Sequence, residues 1–404
     1  MLQDRLKESL EGEVDRRKFI QGAGAVAAGA GLAGTSGASP GHGDAGGQDP
    51  EHGLFGVEGD YQQASFDPHE FLYEFNTGDS GQENVNKNVY KEDGRTVRHF
   101  ELNAVGTNIE IAPGIEFPSW AYEGQVPGPT LRAVEGDLIR VTFKNLQKHA
   151  HTIHPHLRNL NPTMDGIPSN GPGVIDQGDS FTYEWIAQPA GMHFYHCHSL
   201  PLAAHIHRGL YGTIVVDPDP ERVKKKPREY VNYHGPMTKE YRNRLVEIAK
   251  TRNHTYPEND EYNEMVMTMN GFDTNFDHEN EVYAANTQAF AYGVDTDGKG
   301  NWSSKKGIKP IKIDGDKPQR IYLLNVIEFD PINSFHSHSQ FFDYYSHGTT
   351  LEPTKFNVDT VMQCQAQRGI IELDYSDHQP GLYMFHAHQS EFAELGWMSF
   401  FEVT

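Results

Sequence analysis

The segment FYHCHSLPLAAHIH, residues 194–207, places several residues that can bind a metal at close spacing. Cys197 lies between His196 and His198, and His205 follows eight residues after the cysteine. Thiolate sulfur and imidazole nitrogen are ligands that proteins use for copper and zinc. The chain has only 2 cysteines but 22 histidines, so this segment is the first candidate for a metal centre.

Pairs of histidines separated by one residue occur four times along the chain. Each pair falls at or beside a predicted strand, where side chains i and i+2 point to the same face. Every pair can therefore present two imidazoles to one side, and four such pairs indicate metal binding rather than chance or a structural role. The pairs are His154/His156, His196/His198, His336/His338 and His386/His388.

The same alternation separates Cys197 from the two histidines that flank it. The histidines face one side, whereas the cysteine faces the interior of its own domain. There we expect it to meet His151 and His205. A thiolate with two imidazoles is a blue-copper arrangement, which suits one-electron transfer. Leu210 stands where a methionine ligand often lies, which predicts an empty axial position and a raised reduction potential.

The composition favours a protein built mainly from strands. Its 404 residues include 40 glycines, 23 prolines, 19 tyrosines and 22 phenylalanines, a mixture typical of short strands joined by turns. We therefore predict an all-β fold, with two domains because the chain is long. The net charge of −22 argues against nucleic acid as a partner.

Changes in composition predict five segments. Residues 1–38 contain Arg16 and Arg17 before an Ala/Gly-rich run, which resembles a twin-arginine export signal. A transmembrane anchor is the alternative, but the run is short and rich in glycine. We therefore expect export to the periplasm, the cell surface or the medium. The other segments are a flexible tether with an N-terminal extension (39–94), a first domain with type 1 copper (95–217), a linker (218–228) and a second domain (229–404).

The second domain repeats the pattern of the first. FHSHSQFF parallels HTIHPH, and MFHAHQSEFAELGW parallels FYHCH with its flanks, which indicates two related β-sandwiches. In the second copy Ala387 replaces the cysteine and Asn333 replaces the counterpart of His151, so we expect no blue copper there. Cys364 fits no ligand pattern, and we predict a small buried residue. A disulfide with Cys197 is the alternative.

From about residue 95 to its end, the chain resembles the multicopper oxidases, in particular the small two-domain laccase-like enzymes. The resemblance implies two cupredoxin-like Greek-key β-sandwich domains, with the blue copper in the first. It also implies that four one-electron oxidations of phenols, aromatic amines or metal ions are coupled to the reduction of O2 to water, with copper as the sole cofactor. The motifs that carry the resemblance are QVPGPTLR, HTIHPH, PAGMHFYHCH, HIHRGLYG, FHSHSQFF and MFHAHQSEFAELGW.

The resemblance further implies a three-copper cluster bound by the eight paired histidines. Each chain would then hold one type 1, one type 2 and two type 3 coppers, and Cys197 would pass electrons through the two histidines bonded to it. Similar proteins assemble as homotrimers with clusters between adjacent subunits. His154 and His336 resemble type 2 ligands. The type 3 ligands would be His156, His196, His198, His338, His386 and His388.

Two other functions remain open at this stage. A copper nitrite reductase shares the cupredoxin pair and the Cys-His bridge, but in that family an aspartate takes the place of His154 and a different residue that of His198. A non-enzymatic copper or electron carrier leaves the four histidine pairs unexplained. Met265, Met267 and Met269 in EMVMTMN share one strand face and could bind Cu(I), although such alternation is more typical of a core.

Three other polar residues carry weaker indications. Asp330, six residues before His336, and Glu391, three after His388, are candidate proton donors. A cap or a salt bridge explains each of these carboxylates equally well. His207 follows His205 closely, and we expect it at the surface near the electron-accepting site.

Overall fold

The computed structural model describes residues 66–78, 88–112, 114–254, 261–293, 295–296, 302–303 and 309–404. The predicted export signal (1–38) and most of the predicted tether (39–65 and 79–87) lie outside the described residues, so both assignments stay predictions. Within the described ranges, no helix is both long and apolar enough to cross a lipid bilayer.

The first sandwich consists, in the described part of the chain, of nine strands in two sheets. Its strands are β1 (Val89–Glu92), β2 (Arg95–Ala112), β3 (Ile115–Tyr122), β4 (Gly128–Val134), β5 (Leu138–Asn145), β6 (His154–Pro155), β7 (Ser180–Ile186), β8 (Gly191–His196) and β9 (Tyr211–Asp217). One sheet has the order β1-β2-β5-β7, with β3 paired to β2, and the other has the order β4-β9-β8-β6. Ile139, Val141 and Phe143 of β5 point into the core, as the alternation in the sequence predicts.

The second sandwich is built in the same way. Its strands, with one separate pair, are β10 (Asn263–Phe272), β11 (Val282–Ala285), β12 (Asp295–Thr296), β13 (Trp302–Ser303), β14 (Ile311–Ile313), β15 (Gln319–Asn325), β16 (Ile332–Ser337), β17 (Phe342–Ser346), β18 (Lys355–Val358), β19 (Thr360–Cys364), β20 (Arg368–Leu373), β21 (Gly381–His386) and β22 (Met398–Val403). The sheets have the orders β11-β10-β15-β20-β17-β18 and β14-β22-β21-β16-β19, and β12 pairs with β13. Met265, Met267 and Met269 are completely buried in this hydrophobic core, which favours the packing role over a Cu(I) site.

Equivalent histidines lie opposite one another in the two sandwiches. In the first, His154 of β6 pairs with His196 of β8. In the second, His336 of β16 pairs with His386 of β21. The strands and this repeated register confirm the predicted all-β fold of two cupredoxin-like sandwiches.

Five α-helices accompany the strands among the described residues, and four of them are short. They are α1 (Pro68–Phe71), α2 (Leu202–His207), α3 (Pro220–Lys225), α4 (Lys239–Arg252) and α5 (Ser390–Glu394), in addition to 3-10 turns at Pro162–Met164 and Pro227–Tyr230. α4 begins after Thr238, whose side chain accepts a hydrogen bond from the N–H of Tyr241. Val223 of α3 packs with Leu245 and Ala249 of α4 in a small separate core. The predicted linker (218–228) therefore includes a helix that is packed against α4.

Charged side chains buried between the sandwiches form a continuous network. Nη2 of Arg132 in β4 lies 2.9 Å from Oδ1 of Asp217, and its Nη1 lies 2.6 Å from Oε2 of Glu264 in β10. Nη1 of Arg320 in β15 lies 2.9 Å from Oε1 of the same glutamate, and its Nε lies 2.9 Å from Oε1 of Glu372. Glu264 therefore connects one arginine of each sandwich.

Residues 66–78 of the N-terminal extension pack against both sandwiches. Phe71 and Leu72 are buried. The carbonyl oxygen of Leu72 accepts a hydrogen bond from the N–H of Val266 in the second sandwich (2.8 Å), and the N–H of Asn76 donates to the carbonyl of Thr130 in the first (2.8 Å). This part of the extension therefore helps to hold the two sandwiches together.

Candidate metal centre

Three potential ligands converge inside the first sandwich. Sγ of Cys197, directly after β8, lies 3.2 Å from Nδ1 of His205 in α2 and 3.7 Å from Nδ1 of His151, which precedes β6. The two Nδ1 atoms lie 3.1 Å apart. All three side chains are at most 2% exposed. The structure thus brings together the residues that the sequence predicts as type 1 copper ligands.

Main-chain donors surround the sulfur atom of Cys197. The N–H of Thr152 lies 3.4 Å from Sγ, and the N–H of Ser199 lies 3.5 Å from it. Burial raises the pKa of the thiol, while these two donors act to lower it because they stabilise the thiolate. On balance the pKa is raised, so the sulfur would keep its proton until a bound cation replaces it.

Burial keeps the two imidazoles of this site neutral, and a hydrogen bond orients one of them. Burial lowers the pKa of His151 well below its usual range and lowers the pKa of His205 to about 4, with further contributions from neighbouring His149 to both shifts. Nε2 of His151 lies 3.3 Å from Oε1 of Gln147, which can only accept a hydrogen bond. Nδ1 of His151 therefore keeps its lone pair for a metal.

Leu210 packs in the same core as Cys197. Its side chain is completely buried, and its carbonyl oxygen accepts a hydrogen bond from the N–H of Cys197 (2.9 Å). The alkyl side chain carries no atom that could bind a metal. This packing is compatible with the predicted empty axial position, which stays a prediction.

The corresponding position of the second sandwich lacks such a site. Ala387 is completely buried between two paired histidines, and Asn333 is also buried. In the described part of this sandwich, no cysteine belongs to a group of potential ligands. The expectation that only the first sandwich holds a blue copper therefore stays a prediction, and the residues at this position carry no thiolate for such a site.

Cys364 is exposed, and the prediction that it is a small buried residue is wrong. On β19 the side chains of Val361 and Gln363 point inward, so the alternation turns Met362 and Cys364 to the outside. Both cysteines of the chain are free, which contradicts the alternative of a disulfide with Cys197.

Four histidines of the first sandwich, which we call the first tetrad, form one group: His154, His156, His196 and His198. Ligand nitrogens of three of them lie within 4.8 Å of one another. Nε2 of His156 lies 3.1 Å from Nε2 of His196. The ring of His198 completes the group, with its centroid 5.3 Å from that of His154.

The second tetrad repeats this arrangement with His336, His338, His386 and His388. Nε2 of His338 lies 3.0 Å from Nε2 of His386. The ring centroids of His336 and His388 are 5.0 Å apart. Unlike the members of the first tetrad, which are buried or half-buried, His338 and His388 are exposed.

Main-chain oxygens determine which nitrogen is free in four of the eight tetrad imidazoles. A carbonyl oxygen only accepts, so Nδ1 carries the hydrogen and Nε2 presents its lone pair. Burial lowers the pKa of His156 to about 2 and that of His196 to about 3, which keeps both rings neutral. The Nδ1 partners are the carbonyls of Asp165 for His154, Cys197 for His196, Asp359 for His336 and Ala387 for His386.

Two aspartates beside the tetrads were not predicted from the sequence. Oδ1 of Asp165 lies 3.3 Å from Nδ1 of His154, and Oδ2 of Asp359 lies 3.9 Å from Nδ1 of His336. They follow their histidines by 11 and 23 residues, so no repeated spacing indicates them. The predicted candidate Asp330 instead accepts hydrogen bonds from other side chains of its own sandwich.

His207 is buried, so the prediction that it lies at the surface is wrong. Its Nε2 accepts a hydrogen bond from the N–H of Asp273 in the second sandwich (2.9 Å), and its ring packs edge-on against Phe117. The neighbouring ligand candidate His205 is covered by Trp120, whose ring centroid is 4.8 Å away.

Known proteins that resemble this chain identify its family. Two family descriptions, both named multicopper oxidase, match residues 104–221 and 259–404. A solved crystal structure of a multicopper oxidase is 41% identical, covers 85% of this chain and 98% of that one, and gives a TM-score of 0.66. The chain belongs to the multicopper oxidase family. This confirms the resemblance noted in the sequence, and the protein is an oxidoreductase of a copper-dependent family.

Other relatives match this multicopper oxidase over shorter stretches. L-Ascorbate oxidase from Cucumis sativus is 40% identical over 98 residues, 24% of this chain and 16% of that protein. Copper-containing nitrite reductase from Neisseria meningitidis serogroup A is 29% identical over 139 residues, 33% of this chain and 34% of that protein. The chain thus spans about a third or less of these two relatives. Copper nitrite reductase from Nitrosomonas europaea, 21% identical with a TM-score of 0.58, covers 76% of this chain and 94% of that one and shares the fold.

The side chains of this multicopper oxidase fit copper. In each tetrad two Nε2 atoms face each other at about 3 Å, close enough for both to contact one cation. Nδ1 of His198 is buried and has no hydrogen-bond partner among the described residues. Soft sulfur with two imidazoles in the first site and imidazoles alone in the tetrads are both donor sets that copper accepts.

Proposed function

We propose that this multicopper oxidase couples four one-electron oxidations of a reducing substrate to the reduction of O2 to water. Each chain would hold one type 1 copper at Cys197 and supply ligands for one type 2 and two type 3 coppers. The observation that carries the proposal is the tripeptide His196-Cys197-His198, which belongs to both the sulfur site and the first tetrad. Copper bound at these residues would supply the one-electron redox chemistry and the activation of O2.

Hydrogen bonds within the chain fix the sulfur site and the first tetrad relative to each other. Besides its N–H contact with the sulfur, Thr152 accepts a hydrogen bond at Oγ1 from the N–H of His198 (2.9 Å). Ser334 makes the equivalent contact in the second sandwich, where Oγ accepts from the N–H of His388 (2.8 Å). We assign His154 and His336 to type 2 copper and the other six tetrad histidines to type 3 copper. Cys197 of the electron-accepting site is then joined directly through the main chain to two cluster ligands, His196 and His198.

The proposed way in which the substrate gives up its electron rests on the residues that shield His205 from solvent. That residue is only 2% exposed, Trp120 packs against it, and Arg208 lies over the Trp120 ring. We infer that the substrate donates its electron across this layer without contacting the metal. Phenols, aromatic amines and reduced metal ions all suit such outer-sphere transfer.

We further propose a homotrimer, because neither tetrad alone completes a three-copper cluster. No ring contact or grouping of ligand atoms joins the two tetrads among the residues that the structure describes. The first tetrad of one subunit would meet the second tetrad of the next, in a head-to-tail ring.

The face that carries the second tetrad supports this assembly. On β19, Met362 is 60% exposed, and on β16 Ile332 is 39% exposed. Met362 pairs with Ser334, two residues from His336 along β16, so the apolar side chains continue the face that carries the histidine. On β21, Leu382 is 40% exposed and shares its face with His386. Exposed apolar surface around ligand atoms is typical of an interface, and we infer that a second copy covers it.

Met362→Glu tests the homotrimer. The new carboxylate should separate the subunits, so that light scattering reports the chain mass of 45.4 kDa instead of a multiple of it. The blue band should remain and the near-ultraviolet band of a coupled copper pair should disappear. Tyr233→Glu, at a side chain that is 46% exposed outside both tetrads, is the matched control and should stay assembled. A monomeric Met362→Glu protein with an intact coupled pair would contradict the shared cluster.

Export remains part of the proposal. The paired arginines Arg16 and Arg17 before an apolar run support transport by the twin-arginine route to the periplasm, the cell surface or the medium. Arg16→Lys together with Arg17→Lys should leave the protein in the cytoplasmic fraction of a host that has this route.

Copper content per chain, measured together with optical and spin-resonance spectra, tests the oxidase itself. Four coppers, an intense blue band and a near-ultraviolet shoulder from a coupled pair are expected. Two coppers, one blue and one uncoupled, would favour a nitrite reductase instead. One blue copper alone would indicate an electron carrier.

A further inference from the structure

Arg368 is a buried cation at the junction of the two sandwiches. It begins β20 of the second sandwich and is 8% exposed. Three other buried arginines at this junction, Arg132, Arg252 and Arg320, each lie within 3.3 Å of a carboxylate oxygen. Arg368 has no such ion pair with any described residue, and its hydrogen bonds go to neutral groups. A buried charge without a counterion is costly, which distinguishes Arg368 from these three arginines.

The guanidinium group reaches into the first sandwich and contacts the segments that carry the first tetrad. Nε donates to the carbonyl of Met192 in β8 (3.0 Å), and Nη2 lies 3.5 Å from the carbonyl of His156. Nη2 also lies 3.4 Å from Nδ1 of His193. The group lies 5.4 Å from the centroid of the Phe194 ring, as in a cation–π contact. Arg368 thus connects β8 to the segment after β6.

Phe194 transmits this contact to the imidazoles. Its ring centroid is 4.0 Å from that of His156 and 5.3 Å from that of His196, and it is nearly parallel to the latter ring (18°). The N–H of His156 also donates to the carbonyl of Phe194 (2.8 Å). The aromatic ring therefore lies against both imidazoles whose Nε2 atoms face each other, with the guanidinium group as a further neighbour.

We infer that Arg368 is a positioning residue by which the second sandwich fixes the facing geometry of His156 and His196 in the first sandwich of the same chain. The inference rests on the proposed function, in which these two histidines bind type 3 copper. A guanidinium fork can hold several acceptors in fixed directions, which a flexible ammonium group cannot do. Groups outside the ligands that orient metal-binding imidazoles typically change metal affinity about 10- to 100-fold when removed.

The test compares Arg368→Met, Arg368→Lys and the unmodified chain. Copper affinity of the cluster, the near-ultraviolet band of the coupled pair and the blue band are measured for each, with the thermal unfolding of the copper-free protein. Arg252→Met is the matched control, because Arg252 is also a buried arginine at the junction and lies over an aromatic ring (4.2 Å from Tyr345) but contacts β20 instead of the first tetrad. If the unmodified chain shows no coupled pair, the proposed function fails before Arg368 is tested.

In Arg368→Met we expect cluster copper to bind about 10-fold more weakly or worse, with loss of the coupled band and a full blue band. Arg368→Lys should fall between this variant and the unmodified chain, and Arg252→Met should keep the coupled band. An unchanged coupled band in Arg368→Met would overturn the inference, as would equal loss of both bands together with lower thermal stability. If Arg368→Met does not fold, Arg368→Lys decides, since a fully retained coupled band there contradicts a positioning role.

Discussion

The two cysteines of the chain lie in opposite surroundings, which makes them a matched pair of test positions. Cys197 is completely buried between two imidazoles, whereas Cys364 is exposed on β19. In Cys197→Ser we expect loss of the blue band and of one copper per chain, because a hydroxyl does not replace a soft thiolate as a copper ligand. Cys364→Ser should keep both. The absorption spectrum and the copper content of the two variants test this expectation. A Cys197→Ser protein that keeps the blue band would exclude Cys197 as a ligand of the blue copper.

Leu210 offers a test of the axial position. Replacement by Met conserves volume to a good approximation and brings a thioether into the same core. A weak sulfur ligand stabilises oxidised copper, so the reduction potential of the blue centre should fall while its band persists. A redox titration of the Leu210→Met protein measures this shift directly. A potential equal to or above that of the unmodified chain would mean that residue 210 does not face the metal.

At the scale of single residues, the sequence predicted what strand alternation controls. The opposite directions of Cys197 and its flanking histidines follow from a period of two, and the structure has that arrangement. The burial of His207 could not be predicted, because its partner is the N–H of Asp273 on the other sandwich, 66 residues away. The alternation also predicts that the side chain of Cys364 points outward. That prediction requires knowing at which residue β19 begins.

The turn after β6 depends on a glycine in a left-handed conformation. Gly166 has φ of +73°, and a Cβ atom there would lie 1.8 Å from the carbonyl oxygen of Ile153. Gly166→Ala should therefore destabilise the protein far more than the ~1 kcal/mol usual for alanine at positive φ. It should also weaken copper binding, because Asp165 next to it holds His154.

Gly136→Ala is the control for this turn. Gly136 has φ of +99°, but a Cβ atom there would meet nothing within 4 Å beyond its own chain neighbours, so only the backbone strain should appear. Urea unfolding of both copper-free variants measures the difference. Equal losses of stability would show that the turn after β6 moves aside without cost.

At the scale of elements, the strands were easier to predict than the segments that join them. β5 shows its alternation in the sequence, whereas residues 66–78 look merely polar and mixed. Their place is set by main-chain hydrogen bonds to both sandwiches, such as that of Leu72 to Val266, and these leave no pattern in the sequence. The helix α4 likewise depends on a small core with α3 that is visible only after folding.

Glu264 gives the whole molecule a testable dependence on pH. Burial alone would raise the pKa of its carboxyl, but Arg132 and Arg320 outweigh this and lower it to about 2 from 4.5. Because the pKa is lower in the folded state, the stabilisation is complete above pH 4.5 and is lost as the pH falls towards 2. Glu264→Gln should lose roughly 3 kcal/mol at neutral pH and show a weaker dependence on pH in this window.

Urea unfolding of the copper-free chain at neutral and acidic pH measures this effect. Glu247→Gln is the control, since Glu247 is 68% exposed and its pair with Lys250 lies at the surface. Such a pair contributes at most about 1 kcal/mol. If both variants lose equally little free energy of unfolding, the ion pairs of Glu264 do not stabilise the contact between the sandwiches.

For the molecule as a whole, duplication was the part that the sequence predicted best. Repeated motifs predict two sandwiches, and the register of His154 with His196 and of His336 with His386 repeats between them. The relative placement of the two tetrads was beyond prediction, because it depends on a packed junction whose contacts, such as Arg368 to Met192, join residues far apart in the chain.

The separation of the tetrads has a genetic consequence. Under the proposed head-to-tail ring, a chain damaged in its first tetrad (His196→Ala) and a chain damaged in its second (His386→Ala) are each inactive alone. When the two chains are coexpressed, mixed rings form. In some of them the intact first tetrad of one subunit meets the intact second tetrad of the adjacent subunit. Random mixing in equal amounts would give about one complete cluster for every four junctions. Two alleles that fail separately would thus restore activity together, as in intragenic complementation.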